Sequence, residues 1–86
     1  MPKIIIYSTI ACGYWMRAKQ LLKEKQIPFE EIDVSYSPDG RRTMMEKAGG
    51  RMTVPQIFIG DTHVGGWQEL YELERSGRLV PLLSAA

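Results

Sequence analysis

The stretch "STIACGYWMRAK" (residues 8–19) holds the only cysteine of the 86-residue chain, Cys12, with a tryptophan three residues on at Trp15. The pattern around Cys12 changes from an apolar run to a helical one, so the cysteine is expected at a helix start. The first four N–H groups of a helix lack intrahelical partners, and the helix dipole adds partial positive charge there. Both favour a thiolate over a thiol, and such cysteines ionise well below the free value of about 8.5. Arg17 and Lys19 would push the same way. A thiolate at neutral pH attacks disulfide sulfur and leaves readily from a mixed disulfide. The competing reading is a buried cysteine acting as a small hydrophobe.

A single cysteine excludes an intramolecular disulfide and a structural zinc site built on several thiolates. His63 is the only histidine, so a cysteine–histidine nucleophile pair could only be Cys12 with His63. A lone histidine on a hairpin is more often a surface or satisfied residue than a base, and no metal-ligand spacing surrounds it. Glu30 and Glu31 alternate to opposite strand faces and form no paired-carboxylate site.

The elements that must position Cys12 follow from the hydrophobic pattern. "KIIIY" (3–7) is a continuous apolar run, as in a strand buried on both faces. From Gly13 to about Lys25 the pattern is helical, with Ala18, Leu21 and Leu22 inward and Arg17, Lys19, Lys23 and Lys25 mainly outward. "QIP" (26–28) ends that helix, and "FEEIDV" (29–34) is a second strand, parallel to the first. "SYSPDG" (35–40) is turn chemistry. A helix over 39–48, with Met44 and Met45 inward, stops at Gly49–Gly50. "VPQIFIGDTHVGG" (54–66) is a hairpin turning at Gly60–Asp61. "WQELYELERSGRL" (67–79) is helical, with Leu70, Leu73 and Tyr71 on its apolar stripe and Gly77 as its stop. The order βαβ–α–ββα implies a central four-stranded mixed sheet with helices on both faces. The carboxyl end of the first strand feeds the Cys12 loop, and that edge is where open α/β sheets bind ligands.

Length and composition agree with one domain over residues 1–86. Apolar residues make up 44% and charged residues 24%, an ordinary globular composition. No apolar run approaches the roughly 20 residues of a membrane span. The start lacks a secretory pattern, so a cytoplasmic protein without a membrane partner is expected. A net charge of +1 argues against a nucleic-acid binder. Residues 1–51 carry nine Lys/Arg against six Asp/Glu, and residues 52–86 two against four. That mild dipole suits a small anionic or zwitterionic ligand.

Cys12-Gly13-Tyr14-Trp15, the helix behind it, Thr53-Val54-Pro55 and Gly65-Gly66 before another helix together resemble the glutaredoxins. The resemblance covers essentially the whole chain and implies an α/β, thioredoxin-like fold (βαβαββα). Family motifs are commonly C-P-Y-C or C-G-F-S, and here Trp15 replaces the resolving cysteine or serine. The resemblance implies glutathione as cosubstrate and glutathionylated proteins as partners of a monomer. Cys12 would be the nucleophile of a monothiol route, in redox homeostasis. Thr53, Val54 and Pro55 would form a loop with a cis proline whose backbone pairs with glutathione. Gly66, Trp67 and Gln68, with Glu69 beside them, would meet the γ-glutamyl end, and Tyr14 would flank the ligand. The family's usual lysine before the nucleophile is Thr9 here. Arg42 is the leading candidate for the cation that meets the glycine carboxylate, and Arg51 is the second.

Trp15 is expected to pack inward or to cover the sulfur, with Trp67 nearby, giving lower or more selective activity. Two other functions compete. Monothiol relatives can dimerise around an iron–sulfur cluster. Gly13 favours such a cluster and Trp15 opposes it, so a cluster is not expected, and neither is any other metal. A scaffold without redox activity, using Trp15 and Trp67 as an interaction patch, is the third reading.

Overall fold

The computed structural model describes residues 2–10 and 13–84. Its elements are β1 (Ile4–Ser8), α1 (Gly13–Glu24), β2 (Glu30–Asp33), α2 (Pro38–Lys47), β3 (Gln56–Ile59), β4 (Thr62–Gly65), α3 (Trp67–Arg75) and α4 (Leu79–Ser84). The sheet order is β2-β1-β3-β4. β1 pairs parallel with β2, Ile5 opposite Glu30, and antiparallel with β3, Ile5 opposite Phe58. β3 and β4 form the antiparallel hairpin. This is the mixed sheet that the order of patterns predicts. No helix among the described residues is long and apolar enough to cross a membrane.

Strand alternation sorts the core into two layers. Ile4 and Ile6 of β1 and Ile57 and Ile59 of β3 face one side. They pack there with Ala18 and Leu22 of α1, Leu70 of α3, and Leu79 and Leu83 of α4. Tyr7 and Phe58 face the other side, against Val34, Met44 and Ala48. Each fully buried Leu or Ile contributes about 1.5–3 kcal/mol relative to an exposed one. These residues therefore hold the helices on the sheet.

Local signals set the helix ends. Ser37 caps α2 by accepting the Gly40 N–H at 3.0 Å, and Pro38 follows at the first helical position, where its missing N–H is harmless. Lys3 pairs with Glu30, and Lys19 with Glu31 at 3.1 Å. The two glutamates thus have separate partners, as their alternation predicts.

Two expectations are corrected. The helix stops before Gly77, which turns with φ +74 as expected, but it spans Trp67–Arg75 and does not continue to residue 79. Residues 79–84 then form a separate helix, α4, which buries Leu79 and Leu83 one turn apart. Pro81 sits in its first turn, where proline is tolerated. Tyr71 is not on the apolar stripe. It is 50% exposed, with its ring 5.6 Å from that of Trp67, because Leu70 takes the inward position.

Candidate functional site

A cavity of about 200 Å³ opens between the start of α1, the loop before β3 and the start of α3. Its lining includes Tyr14, Thr53, Val54, Pro55, Trp67 and Gln68, and it continues over Gly66, Arg51 and Glu69. Three segments far apart in sequence meet here because β1 and β3 are sheet neighbours and α3 leaves from the hairpin that β3 begins.

Cys12 lies outside the described residues. α1 begins at the next residue, Gly13, and Gly13–Met16 contains no acidic residue. The chain entering this segment is tied down. The Ile10 N–H donates to Ser35 Oγ at 2.9 Å, and the Ser35 N–H donates to Asp33 Oδ1 at 2.9 Å. The Ser35 hydroxyl and N–H hold the Asp33 carboxyl below its ordinary range. "SYSPDG" is therefore more than a turn, since Ser35 braces the backbone two residues before Cys12.

Tyr14 is exposed at the cavity edge, with the Arg17 guanidinium 5.6 Å from its ring centre. Trp15 is partly buried and packs against the core layer under α1, and the Lys19 ammonium lies 4.7 Å from its ring centre. Lys19 also pairs with Glu31, which offsets its charge. Neither Gly13 nor Trp15 lines the cavity.

Opposite Tyr14, the Val54–Pro55 peptide bond is cis. Pro55 is buried, Val54 half-buried and Thr53 exposed, so the loop is anchored at one end and open at the other. Gly65 adopts φ +120, and a Cβ there would meet Glu69 Oε1 at 2.6 Å; one on Gly66 would lie 3.4 Å from the Pro55 carbonyl oxygen. The glycine pair therefore lets the start of α3 close against the loop. Gly66 caps α3 without a side chain, and the Gly66 and Glu69 N–H groups bond the Glu69 carboxylate, so an outside carboxylate would meet the N–H groups of Trp67 and Gln68. Trp67 lines the cavity and packs against the core.

The two arginine candidates separate. Arg42 is 71% exposed on α2, 3.5 Å from Asp39, and does not line the cavity. Arg51 does, and its Nη1 donates to Glu69 Oε1 at 2.8 Å. Partial burial pushes the Glu69 carboxyl up. The hydrogen bond from Arg51, the N–H groups of Glu69 and Gly66 and the Arg51 charge outweigh that and hold it below its ordinary range. Glu69 is the third residue of α3, where a glutamate returns to the helix start. That spacing after Gly66 is the signal by which the sequence points to it.

The Arg51–Glu69 pair leaves a pH signature. A depressed carboxyl contributes stability that is present at neutral pH and lost as pH falls through its folded value, below the ordinary glutamate range. With side chains 44% and 42% exposed, solvent screening keeps the pair near about 0.5 kcal/mol. Glu69→Gln is therefore expected to be slightly less stable than the parent at neutral pH, with the gap closing in acid. Urea midpoints of both proteins across that range check this, and parallel curves would refute it.

His63 is satisfied, as expected for a lone hairpin histidine. It stacks on Phe58 with ring centroids 5.0 Å apart, and its Nε2 is 2.7 Å from Gln56 Oε1. No three His, Cys, Asp or Glu side chains group as metal ligands among the described residues.

The comparisons with known proteins agree with this geometry. The family model for glutaredoxin matches residues 4–64, more than half of the chain. A glutaredoxin from Pseudomonas aeruginosa is 52% identical over 85 residues, covering 99% of this chain and all of that protein. The solution structure of a Brucella melitensis glutaredoxin is 51% identical with a TM-score of 0.83, covering 96% of this chain and 89% of that one. The crystal structure of a buckwheat glutaredoxin–glutathione complex is 31% identical with a TM-score of 0.85, covering 96% and 77%. With its thioredoxin-like sheet and a cavity bounded by the start of α1, the cis-proline loop and the double-glycine helix start, the chain belongs to the glutaredoxin family of glutathione-dependent thiol oxidoreductases.

Proposed function

We propose that the chain reduces glutathione mixed disulfides by a monothiol route. The observation that carries this reading is one cysteine directly before a helix without acidic first-turn residues, in a chain whose cavity presents a loop backbone and a second helix start. In the first step the Cys12 thiolate attacks the glutathione sulfur of R–S–S–G. The S–S bond of the mixed disulfide breaks, R–S⁻ leaves and takes a proton, and a Cys12–glutathione disulfide remains. A second glutathione, as thiolate, attacks the glutathione sulfur of this adduct. Glutathione disulfide leaves and the Cys12 thiolate is regenerated. The net change converts R–S–S–G and one free glutathione into R–SH and glutathione disulfide, and no second protein cysteine takes part.

The remaining residues bind and orient. The Val54 backbone offers an edge for short strand-like pairing with the tripeptide. The start of α3 meets the γ-glutamyl carboxylate, Glu69 faces the neighbouring ammonium, and Gln68 adds a polar contact. Tyr14 covers the opposite side, and Arg51 is the cation within the cavity. The partners are glutathione and glutathionylated proteins, and the working unit is a monomer.

Intact mass spectrometry tests the route. Mixing the reduced protein with a peptide–glutathione mixed disulfide is expected to place one glutathione on Cys12 and release one peptide thiol. Free glutathione should then discharge the adduct and restore the starting mass. An adduct carrying the peptide instead, or one that free glutathione leaves intact, would sink the proposal.

A further inference from the structure

We infer that Gln56, backed by His63, is a positioning residue for the cis-proline loop, an inference that rests on reading this loop as the one that holds glutathione. Gln56 opens β3 and is 0% exposed. An apolar side chain would be the ordinary choice at such a position, since a buried amide is unfavourable unless each of its groups is bonded. Its Nε2 donates to the Thr53 carbonyl oxygen at 2.8 Å and to Thr53 Oγ1 at 3.1 Å. Its Oε1 lies 2.7 Å from His63 Nε2. The amide therefore spans from β4 to the loop residue just before Val54.

The donor and acceptor roles in this chain follow from the chemistry. A carbonyl oxygen only accepts, so the NH₂ of Gln56 must face Thr53 and its oxygen must face His63. His63 Nε2 must then carry a hydrogen, in the neutral ring or the imidazolium. Protonation of the other ring nitrogen leaves the bond in place, so the link is a brace and not a pH switch. Stacking on Phe58 fixes the ring that supports it. Thr53 is exposed, and Gln56 holds it from beneath. The backbone of Gln56 is itself fixed in the sheet opposite Tyr7. This gives the binding loop a rigid reference to β1 and β3.

Substrate kinetics and sulfur reactivity together test the inference. Gln56→Met keeps the length and removes both hydrogen-bonding groups. With a peptide–glutathione mixed disulfide as substrate, its KM is expected to rise about fivefold to tenfold, with kcat changing less. Alkylation of Cys12 by iodoacetamide, which needs no loop contact, should keep its parent rate. His63→Phe, which preserves the stack, should raise KM in the same direction by less and add nothing on top of Gln56→Met. It also serves if Gln56→Met fails to fold. An unchanged KM in both variants, or equal losses in kcat and alkylation, would overturn the inference. A parent protein without glutathione-dependent turnover would instead defeat the reading of the loop.

Discussion

Cys12→Ser is expected to bring the reduction of a peptide–glutathione mixed disulfide down to the uncatalysed rate. The sequence holds no other thiol, so no second group can take over the attack. A free cysteine is only a few per cent thiolate at neutral pH, and a serine hydroxyl is ionised far less. The substitution exchanges sulfur for oxygen and leaves the cavity-lining residues in place. The unfolding free energy from urea titration should therefore stay within about 0.5 kcal/mol of the parent. The measurement is the rate of peptide-thiol release at saturating glutathione, with both proteins at equal concentration. A rate for the Cys12→Ser variant above the protein-free control would place the catalysis somewhere other than this sulfur.

The sheet is legible in the sequence because its strands carry unambiguous patterns. Ile4-Ile5-Ile6 is apolar throughout since β1 lies between β2 and β3 with a core layer on each face. The hairpin is legible from Gly60–Asp61 between two short strands. α4 is not. Its six residues form too short a pattern, and Pro81 reads as a helix breaker until its place in a first turn is known. The site divides in the same way. Backbone features such as Pro55 and Gly66 leave a mark in the motif. Arg42 and Arg51 do not differ in kind, only in whether a helix face or a loop carries them, and the fold alone separates them. Gln56 and His63 look like ordinary hairpin residues until β3 and β4 pair and bring their side chains to 2.7 Å. Contacts across strands, unlike those within a helix turn, have no fixed spacing in the sequence.

Trp15→Cys is expected to convert the monothiol route into a dithiol one. The change places a second thiol three residues after Cys12, one helical turn on, in the Cys-X-X-Cys spacing that supports reversible disulfide formation. Treated with glutathione disulfide, the parent should take up one glutathione, whereas the variant should lose two hydrogens and retain no glutathione. Reduction of protein disulfides, for which one cysteine is poorly suited, should rise from background to a measurable rate. Stability moves the opposite way. Trp15 packs against the core layer of Ala18 and Leu22 and under the Lys19 ammonium. Complete burial would make its truncation cost about 3–5 kcal/mol, and partial exposure reduces this to about 2–3 kcal/mol. Small domains hold about 5–15 kcal/mol in total, so the variant should remain folded with a lower urea midpoint. The two readouts separate the roles of the ring. Lower stability with a new intramolecular disulfide would mean that Trp15 both packs the helix and keeps the site monothiol. Lower stability with a persistent glutathione adduct would mean that spacing alone does not let the second sulfur reach the first, and the dithiol prediction would fall.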